Sequence, residues 1–322
     1  MDQIRADVQR LTIVGFSAAF LVVMIVIAEL SGVRIAFATF KPPAYAFLLL
    51  AALWLYASLR KMPKIQGSCE ILGSWNLVTL GILFFTYAAA RPAYPLMDPA
   101  LARADALIGF NVPAVVMWID QYRVLSFVFE LTYHSLGWQM LLLPIFLVSC
   151  GLRDVAVKIL ICHALICVIC CIISIYFPAV EAFAHFGIAM SDFTNLSGSD
   201  GYRFHESFFA AREHETFVLT MGLTSGIVSF PSIHAALALV CGYAAWQIIW
   251  LRYFGLVLNA IMFLATVPVG AHYAVEVIAG TVIGVAVIAG VHKLDLNACH
   301  RLFWSALAWR PAWQEIYARR SA

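Results

Sequence analysis

The sequence predicts an all-α, polytopic membrane bundle of about eight transmembrane helices, with further helices at the outer interface. Three observations predict it. Hydrophobic residues make up 63% of the 322-residue chain and charged ones 12%, against roughly 45–50% and about 25% in a soluble globular domain. The apolar residues fall in long solid runs, not in the short alternating segments of a membrane barrel. Eight runs reach about the 20 residues that a spanning helix needs: 11–30, 44–60, 71–90, 124–150, 156–177, 230–250, 253–269 and 272–291. Such a composition excludes a soluble enzyme and a disordered chain. A net charge of +2 supplies no global field to select nucleic acid.

Arg5 and Arg10 precede the first run. That run is too long for a signal peptide and no small-residue cleavage site follows, so it reads as a retained first span. The short loops put Arg60, Lys61, Lys64, Arg153, Lys158, Arg252 and Lys293 on one side. The positive-inside rule then places both termini in the cytoplasm. Residues 91–123 read as two short helices at the outer interface. Asp98 caps the first, Pro99 fits its first turn and Gly109 ends it; Asn111 and Pro113 start the second. Residues 179–228 are the long polar stretch, helical around 206–219, and a loop of this length points to function. Trp304, Trp309 and Trp313 among arginines suit an inner-face interfacial helix. Three segments result: 1–90, three spans; 91–291, a catalytic region; and 292–322, a cytoplasmic tail. Of the eight cysteines, Cys167 and Cys170 have redox-motif spacing, but inside a span they read as packing residues.

Ionisable residues inside spans are functional hypotheses by default, and the last three spans hold the strongest group. In Phe230-Pro231-Ser232-Ile233-His234, Ser229 is a candidate cap. Ser232 and His234 would then sit at the positive end of a helix, a phosphate site. His272 and Glu276 are four apart, hence on one helix face, so the carboxylate can hold one ring nitrogen and leave the other basic. From His234 to Trp250 the chain descends 16 residues, roughly 24 Å at 1.5 Å per residue, and it climbs as far from Phe254 to Gly270. The two histidines therefore meet at one depth. Two histidines and a carboxylate beside a helix N-terminus suit phosphoryl transfer through a phosphohistidine. Glu130 and His134, with Tyr133 and Gln139, are candidates to line a head-group pocket, or else glue between helices.

The two signatures, Pro231-Ser232-Ile233-His234 and His272-Tyr273-Ala274-Val275-Glu276, resemble the second and third motifs of the type 2 phosphatidic acid phosphatase superfamily. They are most similar to its inositol phosphorylceramide synthase branch. The resemblance covers residues 91–291 and takes in Asp98, Asp105, Gly109, Tyr133, Ser135 and Gln139. It implies that His272 is the nucleophile, that Glu276 orients it, and that His234 protonates the leaving oxygen and then activates the acceptor. It also implies that Ser232 binds a phosphoryl oxygen and that no metal or other cofactor is needed. The chain departs from the pattern in three places. Glu276 stands where members usually have Asp. Arg91-Pro92 lacks the lysine of the phosphatase motif, since position 84 is Phe84. Ala265 and Thr266 stand where phosphatases carry Ser-Arg. A substitute cation is expected, with Arg212 first and Arg91 and Arg123 behind it.

The activity expected is transfer of a phosphorylated, inositol-phosphate-like head group from a phospholipid donor to a lipid hydroxyl, at the outer membrane face. Hydrolysis by water, a lipid phosphate phosphatase, is the alternative. From another class, a catalytically impaired lipid-binding or scaffold protein is suggested by Glu276 and the missing cations.

Overall fold

The computed structural model describes residues 2–213, 215–223, 226–296 and 298. Three helices come first: α1 (Asp2–Leu30), α2 (Lys41–Leu59) and α3 (Pro63–Ala90). Then come the short α4 (Asp98–Leu107) and α5 (Val112–Asp120), the long α6 (Arg123–Ser149) and α7 (Arg153–Tyr176), and the short α8 (Ala182–Phe186). The order ends with α9 (Ser199–Glu213), α10 (Ile233–Trp246), α11 (Arg252–Ala265) and α12 (Ala274–His292). The chain is an all-α bundle and an integral membrane protein. Helices α1, α2, α3, α6, α7 and α12 are long and apolar enough to span. Large side chains such as Leu48, Leu49 and Trp138 lie exposed on their surfaces, as lipid contact requires.

The two remaining expected spans are shorter than the sequence suggests. α10 and α11 have 14 residues each, about 21 Å at 1.5 Å per residue, short of the roughly 30 Å hydrocarbon core. Hydropathy runs on past both ends, but the helices do not. Ser232 caps α10 through a bond from Ala235 N (3.3 Å), so the helix starts at Ile233 and not near Ser229. Beyond α11, Thr266–Gly270 is turn.

Asn111 caps α5 through Ala114 N (3.0 Å), and α4 meets α5 at an 81° bend. Asp98 does not cap α4. Met97 holds that place without a side-chain bond, and the Asp98 carboxylate takes Val180 N (3.0 Å) and Glu181 N (3.2 Å) instead. One feature is not helical. β1 (Val33–Ile35) pairs in parallel with β2 (Phe217–Leu219), joining the α1–α2 turn to the segment before α10. Beside it, Arg91 donates to the carbonyls of Ser31 (2.9 Å), Ala211 (2.5 Å) and Glu215 (2.6 Å). This end of the bundle carries the site.

Two apolar clusters form. The larger joins α3, α6, α7 and α10 around Ile71, Leu147, Ile166 and Val240. The smaller lies at the site end, where Val112, Val116, Phe183, Leu196, Tyr273 and Val277 bring α4, α5 and α8 against the start of α12. Trp304, Trp309 and Trp313, on which the interfacial tail was expected, lie outside the described residues.

Candidate active site

The site is assembled by two helix starts that face each other. α12 packs against α10 closely enough that a Cβ on Gly280 would collide with the carbonyl oxygen of Ser232, and one on Gly284 would lie 3.1 Å from Ala236 Cα. At the head of this contact Ser232 N donates to Glu276 O (3.1 Å). Glu276 is fully buried at the third position of α12. Its carboxylate accepts from Tyr273 N (3.2 Å), from Ser229 Oγ (2.9 and 3.1 Å) and from His272 Nδ1 (2.7 Å).

His272 and Glu276 therefore meet as expected, but not on one helix face. α12 begins at Ala274, so His272 lies in the preceding loop and Glu276 reaches back over the first turn, as an N3 acid does at a helix start. A carboxylate only accepts, so the proton of the imidazole sits on Nδ1 and Nε2 keeps its lone pair. Two further acids fix the loop. Asp105 accepts from Ala274 N and Val275 N (both 2.9 Å), and Asp98 accepts from Tyr273 Oη (3.2 Å). Ala271 adopts the left-handed backbone region at φ 55°, rare for a residue with a Cβ. It is held there by Ala182 N donating to its carbonyl (2.8 Å). At Gly270 a Cβ would stand 2.6 Å from Thr266 O and 2.7 Å from Tyr133 Oη, so only glycine fits.

His234 opens α10 on the other side. Its ring stacks on Tyr133 (4.5 Å, 16°) and stands 6.4 Å from that of His272, centroid to centroid. Both histidines line a cavity of about 1170 Å³ that also takes in Tyr133, His134, Glu181, Arg203 and Ser229. It continues along α3 and α6 past Asn76, Thr79 and Gly137 to His163. His163 itself is stacked on Trp75 (4.9 Å, 19°), which suits the structural part its isolation in a span suggests.

The structure brings together His234, His272, Glu276, Tyr133 and His134. It does not bring the others to the cavity wall. Ser232 is fully buried as the α10 cap, and Ser229, read as that cap, holds Glu276. Gln139 bonds Ser135 Oγ (3.0 Å) and accepts from Asn259 Nδ2 (2.7 Å), as interhelical glue. Glu130 accepts from Ser197 N (2.5 Å). Arg123 is exposed at the start of α6. Arg91 clasps three carbonyls. Arg212 donates to Tyr94 O (2.7 Å) and covers the Phe208 ring.

Among the described residues, the cation that lines the cavity is Arg203. α9 starts at Ser199, not near residue 206. Nine residues separate positions 203 and 212 (212 − 203), two and a half turns at about 3.6 residues per turn, so the two arginines point to opposite sides. Sequence reasoning also passed over Glu181, although an acid inside the apolar stretch 178–186 was a visible signal. Among the described residues no group of three His, Cys, Asp or Glu is arranged to hold a metal ion. His205 lies on α9, and His214 lies outside the described residues.

A family model described as the PAP2 superfamily matches residues 99–290, which is 192 of the 322 residues. The chain belongs to that superfamily, whose members are in general phosphatases or phosphotransferases. Comparison with curated proteins and with solved structures finds no match.

Proposed function

From membership of the PAP2 superfamily and this geometry, we propose a membrane lipid phosphotransferase that works through a phosphohistidine. The observation that carries it is the buried His272–Glu276 pair with His234 facing it across one cavity. His272 Nε2 attacks phosphorus, the bond to the leaving oxygen breaks, and His234 gives that oxygen a proton. His234 then takes the proton of an acceptor hydroxyl, whose oxygen attacks phosphorus and releases His272. Glu276 holds the Nδ1 proton and stabilises the imidazolium, the part a triad carboxylate plays. Arg203, on the cavity wall, is the cation that faces the phosphoryl charge.

Transfer to a lipid hydroxyl, with a donor head group of the inositol-phosphate kind, is favoured over hydrolysis by room. At about 1170 Å³ the cavity exceeds the roughly 300–1,000 Å³ of a pocket for one small ligand. The His163 end offers space for a second, lipid molecule beside α3. With both termini cytoplasmic, as the loop cations suggest, the site faces the periplasm or lumen.

Purified protein is to be incubated with labelled phosphatidylinositol and ceramide, and separately with phosphatidic acid. Label appearing on ceramide supports transfer; phosphate released from phosphatidic acid alone supports the phosphatase reading. His272→Ala should abolish both, and vanadate should inhibit both. Near-normal turnover by His272→Ala would falsify the mechanism, and indifference to vanadate would favour a scaffold.

A further inference from the structure

Four acids are buried around the catalytic loop, and they are not equivalent. Asp105 accepts from Ala274 N and Val275 N. Asp98 accepts from Val180 N, Glu181 N and Tyr273 Oη. Glu276 accepts from Ser229, Tyr273 N and His272. Each of these is supplied with donors as an anion should be. Glu181 is 3% exposed and lines the same cavity as both histidines, yet its buried Oε2 has no hydrogen-bond partner among the described residues. An anion there would face two neighbouring acids with an oxygen left bare, and burying an unpaired charge is costly.

Position ties this carboxyl to the nucleophile. Glu181 immediately precedes Ala182, whose N–H holds the carbonyl of Ala271, the residue before His272. Gly201 makes room for it. A Cβ at Gly201 would collide with Glu181 Oε2 and stand 3.2 Å from Ala271 Cβ.

We propose that Glu181 is held protonated and donates a hydrogen bond to a non-bridging oxygen of the phosphoryl group at His272. It would be a neutral donor beside Arg203 in a site that lacks the usual motif cations. A neutral acid suits this place, because an anionic phosphoryl group would be repelled by a further carboxylate. No proton is transferred and no bond is made or broken at Glu181; it positions and stabilises. The proposal rests on the phosphohistidine reading above. Burial, with Asp98 and then Glu276 close by, pushes the Glu181 carboxyl up to about 8. The charged groups beside it are Asp98 of α4 and Glu276 of α12, and the titratable and charged groups on the same cavity wall are His134 of α6, Arg203 and Glu206 of α9, His234 of α10 and His272. The donor form is present below the shifted value and lost above it.

Tungstate is the probe, because it stays a tetrahedral dianion from about pH 7.5 to about pH 10, a window that contains the Glu181 transition. Its affinity for the purified full-length protein is measured across that range by calorimetry. Wild type should weaken as pH rises through about 8. Glu181→Gln keeps a donor that cannot ionise, so it should bind within about threefold of wild type below that pH and lose the alkaline fall. Glu181→Ala should bind about tenfold or more weakly throughout. Gly201→Ala, which displaces the carboxyl without removing it, should weaken binding as well. Glutamine as weak as alanine, an unaffected alanine variant, or a wild-type affinity flat through the window each overturn the proposal. His272→Ala turnover is measured alongside. If it is dead while the Glu181 variants behave wrongly, only the neutral donor fails. If it turns over normally, or wild type binds no tungstate, the phosphohistidine reading fails with it.

Discussion

Two buried glutamates, Glu70 near the start of α3 and Glu276 near the start of α12, use the same side chain in different ways. Glu70, 5% exposed near the start of α3, accepts from Trp54 Nε1 (2.9 Å) and from Arg153 Nη2 of α7 (3.2 Å). Its charge is answered by a permanent cation, and the pair joins α2, α3 and α7. Glu276, at the other end, meets no guanidinium. It is held by a hydroxyl, a backbone N–H and an imidazole. Neutral donors satisfy a carboxylate without cancelling its field, so in the proposed mechanism that field is left to stabilise a positive charge forming on His272. A quenched acid builds structure, and an unquenched one on a histidine supports chemistry.

That contrast is most exposed to Glu276→Gln, which keeps the shape and removes the charge. Turnover should fall by about 10⁴, as for a triad carboxylate made neutral, with little change in thermal stability. Glu276→Asp should cost about 10²: the N3 position fixes the reach, and about 1 Å of misplacement has that effect. An aspartate variant as active as wild type would show that the reach-back geometry does not set the rate.

Next in size is the cation. Arg203→Ala should lower kcat about 10²- to 10³-fold, the scale of one preorganised electrostatic donor. Arg212→Ala, on the opposite side of α9, should stay within about threefold. Kinetics showing the reverse order would return the phosphate clamp to Arg212.

On the Glu70 side the effect should fall on stability. Arg153→Met leaves a buried charge uncompensated and should cost about 3 kcal/mol, the low end of the range because the arginine is partly exposed. The Glu70→Gln/Arg153→Met double variant should recover most of this in thermal unfolding, with kcat unchanged throughout. A large loss of kcat would mean that the two ends are coupled. The smallest change is expected for Asp105→Asn, which weakens the cap on Ala274 N and Val275 N. About 1 kcal/mol of stability should go, with a modest fall in kcat and little in KM.

The meeting of His234, His272 and Glu276 was legible because few residue types carry such chemistry and spacing brings the two histidines to one depth. The route was not legible: a four-residue separation reads as one helix face, while a helix starting at Ala274 delivers the same contact through its first turn. Ser229 and Ser232 exchanged places for the same reason, since either can cap and only the fold decides. Arg203 was hidden by a seven-residue error in the start of α9 (206 − 199), which turned the wrong arginine toward the site. Glu181 shows in sequence only as an acid inside an apolar stretch, and its meaning lies in Gly201 and Asp98, far away along the chain. The short strands leave no local trace, having three residues each and a partner in another part of the bundle.

That strand pair also sets a schedule. Val33 waits for Phe217, 184 residues later (217 − 33), and at roughly 5–20 residues per second the partner follows on the order of 10–40 s behind. From the moment Arg91 is made, α1, α2 and α3 are complete in sequence, while the turn between α1 and α2 has an open strand edge and the Arg91 clasp lacks Ala211 and Glu215. The cavity is therefore a late product of synthesis. A ribosome stalled before residue 217 holds a chain whose early helices are complete and whose reaction chamber does not yet exist.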